Sequence, residues 1–460
     1  GINIVNPTAV GQALPFNLDS RLIISKGLSK QLFLKCDVRS TATGSYQWGY
    51  NPIVDAWATG LISGQKAPTT GNGGSGNSMT VAGLGALSVS LDTLSAYKIV
   101  SPGETAELAR LRFSASGENV ALKQVVIQLS SPELNTPYDL VDQKVTLWDG
   151  AVKVGEAIFA NGDNAISSAI ANFVVPAGGA KVLTVKGVIS GISYAGPLTK
   201  SGDLLKVDYD GGGVGFEQKG NYGIGQSSGQ NVFVTGSDTN STGVRIMKAY
   251  PEFALIPLTA AEKVLPSAAQ DNVTLYKFKV TAKNGDVALA KFTFRYSPSP
   301  NPLDISKFSL YAFTDFNYSF PDGDFSGSSS TGGLVNAGQC FSSRSPFSVE
   351  IYPDKTGCIQ NKTILRIPSG ESRWFKLRAS VGQLPSASAI LSVQLEGDAA
   401  YPINGMQTSA AFDSGDNNDL IWSPNSVKTS QLSDMDWTNS YGVLGLPGDN
   451  LPAQILTASG

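Results

Sequence analysis

Apolar and polar residues alternate with a period of two through Leu108-Ala109-Arg110-Leu111-Arg112-Phe113, Lys123-Gln124-Val125-Val126-Ile127-Gln128-Leu129 and Lys277-Phe278-Lys279-Val280-Thr281. Only an extended backbone sends every second side chain to one face, so these runs predict β-strands with one side buried. Gly, Asn, Asp and Pro punctuate them at turn positions, as in Trp148-Asp149-Gly150 and Asn161-Gly162-Asp163. No long amphipathic helix is legible, and helix is expected only as short turns. A chain of 460 residues exceeds one ordinary core, so several β-domains are expected.

An internal repeat organises the middle of the chain. The segment from Arg112 to Leu122 is answered by Lys279 to Leu289, with Val120 answered by Val287 at an offset of 167. Val145-Thr146-Leu147-Trp148 is answered by Phe308-Ser309-Leu310-Tyr311 at 163. Val175-Pro176-Ala177-Gly178 and the strand-like run after it are answered by Ile367-Pro368-Ser369-Gly370 and its following run at 192. The step from 163 to 192 puts 29 extra residues between Leu310 and Ile367. Short strands and frequent turns in each copy are the pattern of a two-sheet sandwich. The fold class expected is therefore all-β, with tandem Ig-like (fibronectin-like) β-sandwich domains and Gly-rich connectors. The divisions expected are an N-terminal β-rich region over 1–90, a first sandwich over 91–207, a Gly-rich connector over 208–250, a second sandwich with its insertion over 251–400, and a C-terminal section over 401–460.

Composition removes most chemistries. The chain has no histidine, which excludes Ser-His-Asp and Cys-His activation, HExxH sites and His-ligated metals. Charged residues are 15% and net charge is −3, without a basic block, so nucleic acid is not an expected partner. No run approaches the roughly 18–20 apolar residues of a membrane-spanning helix. The first residues, from Gly1, have neither the charged start nor the apolar block of a signal peptide, so the N-terminus reads as a processed one. An enzyme is not expected.

Three cysteines occur. Cys340 and Cys358, eighteen positions apart inside the insertion, are expected to form a disulfide that staples it, contributing about 3 kcal/mol. Cys36 lies in the apolar run Leu32-Phe33-Leu34 and is expected as a buried free thiol. Calcium is the cofactor most worth testing, because oxygen ligands need no histidine. Asp322, Asp324 and Ser326 match the first half of an EF-hand loop, but the twelfth position is Gly333 and not Glu. Asp413, Asp416 and Asp419 form a second acidic loop, and Asp208 with Asp210 a third. Tyr46, Trp48, Tyr50 and Trp57 form an aromatic row that could stack on the sugars of a cell-envelope glycan or be buried against a neighbouring module.

Thr184-Val185-Lys186-Gly187-Val188, after its Val-Pro-Ala-Gly turn, resembles the strand pattern of Ig-like repeats in large secreted surface proteins of bacteria, including those that form S-layers. Asn418-Asp419-Leu420-Ile421-Trp422-Ser423, Asp436-Trp437-Thr438-Asn439-Ser440-Tyr441-Gly442 and Leu446-Pro447 are similar to the C-terminal ends of such proteins. The resemblance spans about residues 85–450. It implies an extracellular, cell-surface location and a structural role, and carries over no catalytic residue. The function expected is a structural subunit of a self-associating S-layer lattice or filament; the alternative is a monomeric adhesin or glycan-binding module. Ile2, Ile4, Val5, Leu22, Ile23 and Ile24 are the residues expected to join copies by adding a strand to a neighbouring subunit, or else to complete the chain's own first sandwich, because their two strand-forming runs lack enough chain to build a core.

Overall fold

The computed structural model describes residues 18–458 apart from 19, 39–41, 43, 51–57, 68–69, 82–84, 93–96, 131–134, 161, 194–198, 212–219, 301, 326–331, 337–340, 345–346, 355–363, 403–417, 427–435 and 447–449. The alternating runs are strands, and helical structure among the described residues is confined to short turns such as Pro137–Asp139 and Gly323–Phe325. No helix of the described residues is long and apolar enough to cross a membrane. The fold is all-β.

The later unit is a two-layer sandwich. One layer is the antiparallel sheet Tyr250–Leu255, Gln270–Lys283, Ser372–Val381 and Ile305–Phe313. The other centres on Val287–Ser299, flanked by Ile390–Glu396, Gln454–Ala458, Ser348–Ile351, Leu365–Ile367 and Leu420–Ser423. Burial alternates strictly along Ser372–Val381, and the inward series Phe375, Leu377, Ala379 and Val381 meets Phe278, Phe292 and Leu395 in one core. Phe278 and Phe375 stack with ring centres 4.7 Å apart. Lys291, fully buried, is paired with Glu350 at 2.7 Å and bonds Asn418 at 3.2 Å, so its charge is compensated across adjacent strands.

The earlier unit wraps one long sheet around its own core. Val152–Ile158, Leu140–Asp149, Ala180–Ile189, Thr105–Ser116 and Ala86–Leu91 run in that order, and Asn231–Thr235 continues it in parallel to Ala86–Leu91. Leu111, Phe113, Val120, Leu147, Leu183 and Tyr209 fill the interior.

The two units repeat each other in register. Phe113 lies opposite Lys181, and Val280 opposite Arg373, at the offsets 167 and 192 read from the sequence. Leu147 opposes Val185 as Leu310 opposes Leu377, and Val120 opposes Val175 as Val287 opposes Ile367. The Pro-x-Gly turns also coincide. Gly178 and Gly370 have φ of 70° and 78°, the left-handed conformation needed at the third position of a type II turn. Asn119 accepts from the Ala177 amide at 2.8 Å, and Asp286, its counterpart, accepts from the Ser369 amide at 2.8 Å.

The repeat runs further than the sequence offsets reached. The Gly-rich stretch 208–250, expected as a connector, supplies Tyr222–Gly225, Asn231–Thr235 and Val244–Ile246 to the first unit. The section after 401 likewise supplies Leu420–Ser423, Thr438–Asn439 and Gln454–Ala458 to the second. Glycine here serves close packing: a Cβ on Gly223 would stand 2.5 Å from Val120 Cγ1. Ala86–Leu91, expected within the N-terminal region, pairs with Thr105–Ser116.

Replacing Phe375 with Ala is expected to destabilise the second unit by about 3–5 kcal/mol, because it removes the ring stacked on Phe278 and leaves a cavity. Denaturant unfolding followed by intrinsic fluorescence checks this; a loss below about 1 kcal/mol would mean that the stack is peripheral.

Candidate functional site

Among the described residues, neither core contains one from before Leu87. The described residues between 44 and 81 form three nested antiparallel ladders, pairing Gly44 with Val81, Gly49 with Ser75 and Ala58 with Ala67, in the order of a hairpin arm. Its tip closes through the Gly60 amide on the Gln65 carbonyl at 2.9 Å and exposes Leu61 and Ile62. Tyr46 and Tyr50 are exposed along it, and Trp48 is half-buried. Trp57 lies outside the described residues.

The segment before the hairpin is more apolar still. Leu22, Ile23, Ile24, Leu28, Leu32 and Phe33 are all exposed, Phe33 at 76%. Leu22, Ile23 and Ile24 are in no strand, and Ile2, Ile4 and Val5 lie outside the described residues. Cys36, expected to be buried, is exposed and free, because the described residues fold no core over this run. Cys340 and Cys358 lie outside the described residues.

The acidic loops divide. Asp322 is buried and its carboxylate is occupied by the Arg373 guanidinium and by the Asp324 amide at 2.9 Å. The reason lies in the strand period: Arg373 belongs to the inward-facing series of Ser372–Val381 and needs a counter-charge. Asp324 is exposed beside it. Asp208 is buried and accepts from Ser130, Thr239 and Ser241 hydroxyls and from the Ser241 amide, so it ties three segments of the first unit together. Asp419 presents its amide to Asp398 at 2.7 Å, while Ser326, Asp413 and Asp416 lie outside the described residues. Among the described residues no three or more Cys, Asp or Glu side chains gather to hold a metal ion.

The second built feature is the junction between the units. Arg245, on a strand of the first unit, is buried with its guanidinium 3.8 Å from the Tyr401 ring. Its Nε donates to the Tyr97 hydroxyl at 3.0 Å and its Nη1 to the Gly202 carbonyl at 2.7 Å. Tyr97 in turn packs on Tyr441 at 4.5 Å. The aromatic rings and neutral acceptors around this cation stabilise it, with the Asp203 carboxylate attracting it as well. Burial pushes the Tyr97 hydroxyl up to about 12, so it stays a neutral partner. Gly442 closes the contact, since a Cβ there would stand 2.4 Å from Tyr97 Cε1. Ile99 reaches across into the core of the second unit, and Glu104 accepts from Tyr250 at 3.0 Å. Sequence reading missed this cluster, because its members stand in five separate segments with no shared motif.

No protein-family model and no curated protein matches the chain. Among solved structures the chain is similar to the C-terminal domain of the AgI/II polypeptide BspA of Streptococcus agalactiae, at 9% identity over 68% of this chain and 95% of that one, with a TM-score of 0.17. It is also similar to the collagen adhesin CNA of S. aureus, at 11% identity over 67% of this chain and 85% of that one, with a TM-score of 0.13. Overlap this loose carries no argument about function, and the fold stands on the strand registers above.

Beside the junction, Asp139 is buried, and burial with the neighbouring Asp203 carboxylate raises its pKa to about 6. An acid whose folded pKa lies above its unfolded value binds the extra proton in the folded state, so stability falls as pH rises from about 4 to about 6 and stays reduced above that. Asp139→Asn is expected to remove this loss and to raise stability at pH 7.5 by about 1–3 kcal/mol, with little gain at pH 4. Thermal melting of both proteins across that range checks it; parallel pH profiles would show that Asp139 is not the titrating group.

Proposed function

We propose that the chain is a structural subunit of an extracellular, cell-surface assembly, an S-layer lattice or a filament, in which the N-terminal arm joins one copy to the next. The observation that carries this reading is the arm itself: the described residues between 18 and 81 expose a row of large apolar side chains and give nothing to either core. A two-stranded hairpin is marginal alone in water, and an apolar surface of this kind marks an interaction site. Charge favours another copy as the partner. Residues 1–81 carry six basic and three acidic side chains, a balance of +3, which leaves −6 on the rest of a chain whose net charge is −3. The sandwich units then act as rigid bodies, and the low content of charged residues suits a surface layer.

A second reading, a monomeric adhesin or glycan-binding module, is favoured by one feature. Tyr46 and Tyr50 stand exposed on the same arm, Tyr50 at 61%, and could stack on sugar rings.

Deleting residues 1–81 is expected to leave both units folded by circular dichroism and to abolish ordered assembly seen by electron microscopy of the purified protein. Normal assembly of the truncated protein would reject the arm as the joining element. Saturable oligosaccharide binding by a full-length monomer that does not assemble would favour the second reading.

A further inference from the structure

The junction inside the chain has an unfilled counterpart at the far end of the second unit. In the first unit, Ile99, Arg245 and Leu204 lie side by side on three neighbouring strands, Arg245 being paired with both. The face they form is the one the second unit covers: Ile99 enters the second core, and Arg245 meets Tyr401. In the second unit, Val264, Thr457 and Ile390 lie side by side in the same way, Thr457 being paired with both, with the same parallel and antiparallel senses. The next residues agree as well, since Val100 opposes Ile246 as Leu265 opposes Ala458. Here, however, the face is open. Val264 is 43% exposed, Ile390 42% and Ile455, on the same side of its strand as Thr457, 54%.

The complementary half of the junction is open at the other end of the chain. Tyr441 and Gly442, which touch Tyr97, lead to Leu444, which bridges Glu252 in parallel. Ser88 is the counterpart of Glu252, since Ser88 opposes Ser114 as Glu252 opposes Thr281, and it pairs in parallel with Thr235. Two residues before Thr235, at the place of Gly442, stands Phe233, 52% exposed.

We propose that a second copy of this chain docks its first unit, by the face around Phe233, onto Val264, Thr457, Ile390 and Ile455 of the second unit, repeating the internal junction between molecules. The occupant follows from continuity with the junction that already exists: each copy carries both halves of it, one at each end. Such a head-to-tail contact is heterologous, so it extends to a filament or closes to a ring according to the rotation per step. It deepens the self-assembly reading and rests on it, and its Phe233 face adjoins the root of the arm, since Val234 pairs with Leu87.

The test uses full-length chains carrying either Val264→Glu with Ile390→Glu, or Phe233→Glu, each checked for wild-type circular dichroism and melting. Placing carboxylates in an apolar contact is expected to weaken self-association of each variant at least about tenfold in sedimentation velocity. Mixing the two variants is expected to restore one good junction contact per pair, so that the mixture associates more strongly than either variant alone. Wild-type association by either folded variant, or a mixture that stays monomeric, would overturn the proposal. A wild-type chain that sediments as a monomer at every concentration overturns it too, including where the open face serves another partner. Failure of the arm reading is distinguishable, because it appears as normal assembly of the chain lacking residues 1–81 with the variant effects intact.

Discussion

Register is the constraint on which the rest of this molecule depends. Along residues 276–283 and Ser372–Val381 every second residue faces the core, so a slip of one position would turn Phe278, Val280, Phe375 and Leu377 to water together. Burial of those side chains pins the pairing, and the pairing fixes where the flanking turns begin. The Pro-x-Gly turns then close against the Ala115 and Ala282 carbonyls at 2.8 and 3.0 Å, with an Asn or Asp side chain holding the turn from the preceding hairpin. Polar residues caught on the inward series follow the same logic. Arg373 must meet Asp322, and Lys291, on the opposite but covered face of its strand, must meet Glu350, since neither can rotate out to solvent without breaking the strand period.

Because both units keep one register, they also keep one set of faces. The face bearing Arg245 is a polar, aromatic junction in the first unit and an open apolar row in the second, on the same three-strand frame. Substitution on a shared frame has thus specialised one copy for its internal neighbour. The carboxylate of Asp139, raised by burial and by Asp203 next to this junction, makes the same region sensitive to pH.

The arm obeys a different balance. Its ladders are short and exposed, and its apolar side chains have no second layer within the described residues. A sheet gains stability from a covered face, and the two sandwiches have that cover where the arm does not. This contrast within one chain is what separates the scaffold from the element available to a partner.

The period-two runs and the turn residues determined the all-β class, and the offsets of 167, 163 and 192 determined which positions of one unit answer which of the other, because a strand's pattern is written locally. Three things were decided only by tertiary structure. Tyr222–Gly225 and Val244–Ile246 became strands because partners distant in sequence accept glycine-rich backbone at close range, which composition alone reads as a linker. Cys36 and the leucines around it are exposed because no layer among the described residues covers them, although the same apolar letters elsewhere are core. Arg245 and Tyr97 of the first unit meet Tyr401 and Tyr441 only when two units dock, and the energy of a cation among rings depends on that placement in space, which no spacing along the chain encodes.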